Sequence, residues 1–345
     1  MKIIASAVSL LLLVSLSSCN AETPLLRASI SAEDSPTIVD LSQDIPRDEA
    51  AISSSPGAKA IQETAAENPH LLNFMVIENG SIVSSYTRDD VDPNETHLVH
   101  SATKSWMSLL LGIIVDDGLL SLDTALGEIF TSDDAWADVT DGTTDFRKGV
   151  TIEELLTMTS GLIYDWGPLG VQSLGGESLK DALSYPNIGV KGEFSYLDVS
   201  QIPSYIIVEL TGMTPRQYLA KHVMGKLGIG EDEYYWWQKE EGVEAGFEGL
   251  FLTPMQMAKF GQLYLQGGRT NPSNDERVIS QEWIDASFTH HSTTHFSSHP
   301  GEDDDYIGRK NGLPYGYLFY ELYEHPSGST VYCAMSWWAI HLRRS

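Results

Sequence analysis

The chain is poor in basic side chains, has almost no cysteine, and lacks any hydrophobic run long enough to cross a bilayer. Its 345 residues carry 21 Lys and Arg against 48 Asp and Glu, a formal charge of −27. Phosphate backbones are bound by basic patches, so this balance excludes nucleic acid as a partner. The acidity describes a strongly solvated surface and does not bear on the fold. With Cys19 and Cys333 as the only thiols, no disulfide framework organises the domain. There is no internal repeat. The histidines offer no metal site either: His290, His291, His295 and His299, near Glu302 to Asp305, have no dependable ligand spacing on a defined element. No metal or other cofactor is assigned.

What is present begins with a leader. Lys2 precedes an apolar run from Ile3 to Leu16, too short to span a bilayer comfortably and closed by small residues. Leu16-Ser17-Ser18-Cys19 resembles a bacterial lipobox, which implies cleavage before Cys19 and lipidation of its thiol. Asn20 in the next position implies the periplasmic face of the outer membrane of a Gram-negative cell. The expectation is a signal peptide over 1–18, a lipid-anchored flexible linker over 19–46, and one large domain over 47–345. The linker reads as polar and acidic without sustained period. Membrane contact is then through the lipid alone.

Within the domain, Ala50 to Glu67 predicts a helix interrupted at Pro56-Gly57. Two alternating runs flank Asn79-Gly80, the strongest short hairpin signal in the chain. From Leu119 to about Leu265 the pattern is mainly helical. Thr151 opens one helix with a capping box, and amphipathic segments follow at 200–210, 215–227 and 254–265. Gln281 to Phe288 is a short helix and Val331 to Met335 a strand. Strands, then a helical block, then strands predict an α/β (α+β) fold, with a sheet lobe beside a helical lobe.

The segment that carries chemistry is His100-Ser101-Ala102-Thr103-Lys104, followed by an apolar helix. A serine hydroxyl is a weak nucleophile and needs a neighbouring base. A lysine supplies one when its surroundings leave it partly neutral. Ser101 and Lys104 are one helical turn apart and share a face. Tyr234-Tyr235-Trp236-Trp237 is aromatic enough to line a pocket and equally suited to strand packing; Tyr164 and Trp166 are placed to wall a cleft or to pack two lobes.

Taken in order, these stretches resemble the serine β-lactamase and penicillin-binding-protein superfamily, in its class C-like branch with the 6-aminohexanoate-oligomer hydrolases and related esterases. Besides Ser101-x-x-Lys104, the resemblance rests on Asp117-Gly118-Leu119-Leu120-Ser121-Leu122-Asp123, the stretch from Ile152 to Leu162, and Phe194-Ser195-Tyr196. Glu209-Leu210-Thr211-Gly212, the stretch from Leu252 to Gly261, and Tyr315-Gly316-Tyr317 extend it. It implies an antiparallel sheet lobe flanked by helices, no metal, and hydrolysis of an amide, ester or β-lactam through an acyl-serine. It also implies Ser101 as nucleophile, Lys104 as base and Tyr196 as proton carrier, with Asp198, Tyr164, Trp166 and Trp237 lining a site for a small or peptide-like substrate. Asp198 departs from the family's Asn and replaces an amide donor with a negative charge.

The third family motif, a strand such as Lys-Thr-Gly or Gly-x-x-Gly-Gln that completes the oxyanion hole, is missing after Tyr332-Cys333-Ala334-Met335. The tail from Trp338 to Ser345 reads as no strand. With favourable codons, a one-base shift turns it into Gly-Gln-Phe-Ile-Phe-Val-Val, the missing motif running into a strand. The expectation is therefore a frameshift and a domain lacking its last strands and helix. A non-catalytic binding protein, or an inactive remnant of the hydrolase, is the competing reading.

Overall fold

The computed structural model describes residues 10–16, 37–68, 70–139, 142–163, 178–184, 187–196, 201–239, 242–294, 312–324, 330–334 and 338–344. Strand β1 (Leu10–Leu16) comes from the apolar run of the expected leader. Residues 37–46, expected to belong to a flexible tether, are instead packed. Leu41 and Ile45 lie in the main core at 0% and 2% exposure. Gln266 closes the segment's backbone, accepting from Val39 N and donating to Val39 O. Two apolar side chains one turn apart in a polar stretch carry little periodic signal, and a distant glutamine supplies the rest of the anchorage.

Helices α1 (Glu49–Ser54) and α2 (Pro56–Glu67) break where expected, with Ser55 capping the second and Pro56 at its first position. β2 (Leu71–Glu78) and β3 (Ser81–Thr87) form the hairpin. Asn79 and Gly80 take φ of 50° and 73°, the left-handed pair that a two-residue turn requires. After β4 (His97–Leu98), a 3-10 turn over His100–Ala102 runs into α3 (Thr103–Asp116). Every residue of α3 from Thr103 to Ile114 is buried, as suits a helix apolar on nearly all sides.

The central region holds α4 (Leu126–Ile129), α5 (Thr144–Lys148), α6 (Ile152–Leu156), α7 (Leu179–Ser184), α8 (Ile202–Thr211) and α9 (Pro215–His222). Among them run β5 (Leu162–Ile163) and β6 (Asn187–Ile188); β7 (Tyr235–Trp236) and β8 (Leu250–Leu252) follow. α10 (Pro254–Leu265) and α11 (Gln281–Ser287) lead to β9 (Ser292–Thr293), β10 (Pro314–Tyr315), β11 (Tyr320–Glu324), β12 (Thr330–Ala334) and β13 (Trp338–Arg344). Thr151, Thr214 and Thr253 cap α6, α9 and α10 through reciprocal bonds with Glu154, Gln217 and Gln256.

Among the described residues the main sheet has the order β3-β2-β1-β13-β12-β11-β10-β9, antiparallel throughout. Smaller sheets join β4-β8-β7 and β5-β6. α3 packs on α10 through Trp106 stacked against Phe260 (ring centroids 4.2 Å apart) and on α11 through Gly112 against Trp283. The sheet with its flanking helices and the mainly helical block over 119–265 are the architecture the sequence predicts.

The tail is a correction. Trp338–Arg344, expected to match no strand, pairs with β12 on one side and β1 on the other, with His341 opposite both Cys333 and Leu12. Trp338, Ile340 and Leu342 alternate with Ala339, His341 and Arg343, a period of two that the two terminal arginines obscure. With partners on both sides, its backbone groups enter two ladders.

Candidate active site

Ser101 is set by a turn that its neighbours hold on both sides. Val99 N donates to Leu250 O at 2.8 Å and Ala102 N to Val99 O at 3.1 Å. His100 between them adopts φ of 46°, which swings the chain from β4 into α3. Ser101 emerges half-buried at the head of the helix. Lys104, one turn on, is 6% exposed. Its Nζ donates to Ser101 Oγ and to the Phe247 carbonyl, both at 3.0 Å. The predicted shared face is thus a direct contact.

Tyr196 lies against Lys104. Its ring centroid lies 4.9 Å from Lys104 Nζ. The segment is placed by Ser195 N donating to Met158 O at 2.8 Å, and by Phe194 packed edge-on to Tyr315. Tyr196 and Tyr315 both pack against Tyr320. Burial, with Tyr196 nearby, pushes the Tyr315 phenol well above its usual range. Tyr315 therefore stays protonated, and the ring that lies against the amine is that of Tyr196.

Residues 244–250 form a strap across the nucleophile turn. Fully buried Gln201 grips it at both ends of its amide, donating to Glu244 O (2.6 Å) and accepting from Gly246 N (3.0 Å). Trp236 Nε1 donates to Ala245 O at 2.9 Å and reaches Glu248 O at 3.3 Å. Leu250 N reaches Thr103 Oγ1 at 3.4 Å. Gly249, at φ 94°, brings the strap against the Trp237 side chain, where a Cβ would meet Trp237 Cβ at 2.9 Å. Trp237, expected to line the substrate site, packs on this strap and on Phe251, with ring centroids 5.6 Å apart. Asp198, Tyr164 and Trp166 lie outside the described residues, as does 335–337, where the third motif was sought. β13 passes beside the nucleophile turn.

The sequence reading missed Phe247, Gln201 and the strap as a whole. The Phe247 carbonyl is a backbone atom 143 residues from Lys104, and nothing in residue type marks it. Gly246 and Gly249, flanking an aromatic after a Trp pair, were the available hint.

His290 and His291 are engaged with Thr293 and the Ala286 carbonyl; His295, His299 and 302–305 lie outside the described residues. Among the described residues, no three His, Cys, Asp or Glu side chains are grouped to hold a metal ion, and no helix is long and apolar enough to cross a membrane. A hydroxyl bonded to a buried amine, with a tyrosine ring against that amine, is an arrangement that can pass a proton while the oxygen attacks a carbonyl.

Comparison with known proteins bears on the family and the fold. The beta-lactamase family model matches residues 64–338. A 6-aminohexanoate-dimer hydrolase of Paenarthrobacter ureafaciens is 22% identical over 231 residues, which cover 62% of this chain and 56% of that protein. The chain thus spans little more than half the length of that curated relative. A solved Bacillus anthracis structure assigned as a 6-aminohexanoate-dimer hydrolase aligns with a TM-score of 0.59 and 15% identity over 91% of this chain and 82% of its own. A Bacteroides dorei structure assigned as a beta-lactamase gives 0.57 and 17% identity over 79% and 83%. At these identities the structures speak for the fold, while the family match spans most of the chain. The protein belongs to the beta-lactamase family.

Proposed function

We propose that this hydrolase cleaves an amide or ester bond of a short linear substrate through an acyl-Ser101 intermediate. The observation that carries the reading is the buried Lys104 Nζ, 3.0 Å from Ser101 Oγ and oriented by the Phe247 carbonyl. Lys104, in its uncharged form, takes the Ser101 proton as Oγ attacks the carbonyl carbon. Tyr196, against the same amine, passes a proton to the leaving nitrogen or oxygen as its bond to carbon breaks. The backbone N–H of Ser101 donates to the developing oxyanion. Water then enters by the reverse proton path, breaks the acyl–Oγ bond and restores the hydroxyl. Likeness to a 6-aminohexanoate-dimer hydrolase favours a linear amide over a β-lactam. The reading also places the protein outside the cytoplasm, lipid-anchored at Cys19, on the strength of Lys2, the apolar run and Leu16-Ser17-Ser18-Cys19.

Whole-protein mass after incubation with a fluorophosphonate tests the chemistry. A single adduct mapping to Ser101 is expected. Ser101→Ala should abolish both the adduct and nitrophenyl-ester hydrolysis, a loss of at least about a thousandfold. Folded protein that stays unmodified would support the non-catalytic binder instead. A panel of a linear oligoamide, a nitrophenyl ester and a β-lactam then ranks the substrates.

A further inference from the structure

We infer that Glu248 and His100 form a positioning pair that aims Lys104 at the nucleophile, an inference that rests on the proposed acyl-Ser101 chemistry. The carbonyl that accepts from Lys104 Nζ belongs to the peptide unit joining Phe247 to Glu248. A peptide plane turns about the bonds on either side of it, so its direction is fixed by whatever holds the flanking residues. Glu248 is held twice. Its carbonyl receives Trp236 Nε1 at 3.3 Å, and its carboxylate, with the side chain 12% exposed, lies 3.8 Å from His100 Nδ1.

His100 is the residue immediately before Ser101, and at φ 46° it occupies the left-handed backbone region, which is uncommon for residues other than glycine. Such a conformation persists where the surroundings over-determine it. Here Val99 N on Leu250 O and Thr103 Oγ1 beneath Leu250 N hold the same turn from the same strap. The Glu248–His100 pair therefore joins the two backbone units on which the reaction depends, the turn that presents Ser101 Oγ and the peptide that orients Lys104 Nζ. The pair touches neither the substrate carbonyl nor the transferred proton, and acts through Lys104 and Ser101. Loosening it lets the 247–248 peptide rotate and takes the acceptor from the amine. Misplacement of about 1 Å in such an array costs on the order of a hundredfold in rate, and a partial rotation less.

Two variants separate positioning from simple stapling of the strap. Glu248→Gln keeps the shape and removes the charge. His100→Asn removes the imidazole and keeps a side chain tolerant of positive φ. First-turnover release of nitrophenol from a nitrophenyl ester reads acylation directly. Each variant should slow acylation about tenfold with KM within about twofold of the parent. The double variant should be no slower than the worse single, and Glu248→Asp should recover part of the rate. Wild-type acylation rates in both single variants, losses that multiply in the double variant, or a change confined to KM would overturn the pairing. The parent must form the Ser101 adduct in the same experiment. If it does not, the acyl-serine reading falls first and takes this inference with it.

Discussion

Lys104 Nζ has two oxygen acceptors at equal distance, one on Ser101 and one on a distant backbone. The second leaves the amine a single useful direction, toward Ser101 and the Tyr196 ring. Side chains that share one proton act as a unit, so their deletions do not add. Lys104→Ala and Tyr196→Phe should each cut acylation by about a hundredfold or more, and the double variant should be little worse than either. A double-mutant cycle in which the two losses multiply would separate Tyr196 from the proton path. Buried Tyr315 gives the contrast: Tyr315→Phe removes a phenol that stays protonated, and should leave the pH profile of acylation in place.

At the scale of the element, α3 shows how packing outweighs propensity. Gly112 sits inside the helix, where alanine would gain about 1 kcal/mol in propensity. A Cβ there would meet the Trp283 indole at 2.5 Å. That indole is 4% exposed and packed 5.3 Å from the Tyr317 ring, so it has no room to yield. Overpacking of this kind costs about 1–3 kcal/mol, and Gly112→Ala should be net destabilising, read as a lower urea midpoint at unchanged slope. α9 carries a pH response. His222 stacks on Tyr218 one turn back, and burial, helped by Lys221, holds its imidazole below the usual range. The folded state keeps it neutral, while the unfolded chain takes up a proton as pH falls through about 6.5. His222 therefore contributes stability in full above that value, and the contribution is lost as pH falls from there toward the lowered folded value. His97 is lowered in the same direction by burial. Between pH 7.5 and 5, the Tm of His222→Gln should fall less than that of the parent. An identical fall in both would remove His222 from the acid response.

For the whole molecule, Leu10–Leu16 has two exclusive fates. In the structure it is the strand between β2 and β13. In an exported lipoprotein it would be cut away with the leader ahead of Cys19. A chain starting at Cys19 would then expose two unpaired ladders, a state that edges of sheets tolerate poorly. We expect that chain to have a lower denaturation midpoint, or to aggregate more, than the chain retaining β1. In the cell, Cys19→Ser should move the protein from the membrane fraction to the soluble one. An intact mass that still includes residues 1–18 in membrane-bound protein would assign Leu10–Leu16 to the sheet. Equal stability of the two chains would show that the sheet does not depend on β1.

By itself the sequence determined whatever depends on neighbours within a turn or two. That includes the Ser101–Lys104 face, the Asn79-Gly80 hairpin, the Thr151 capping box, the break at Pro56, and from their order the fold and family. Spacing of this kind fixes which side chains share a face because helical and extended periods are set locally. Tertiary structure alone decided the acceptor at Phe247, the grip of Gln201, the packing of Leu41 and Ile45, and the strand role of the tail. Backbone carbonyls carry no residue signature. A seven-residue strand whose alternation fades into arginine becomes legible only when ladders on both sides satisfy its backbone.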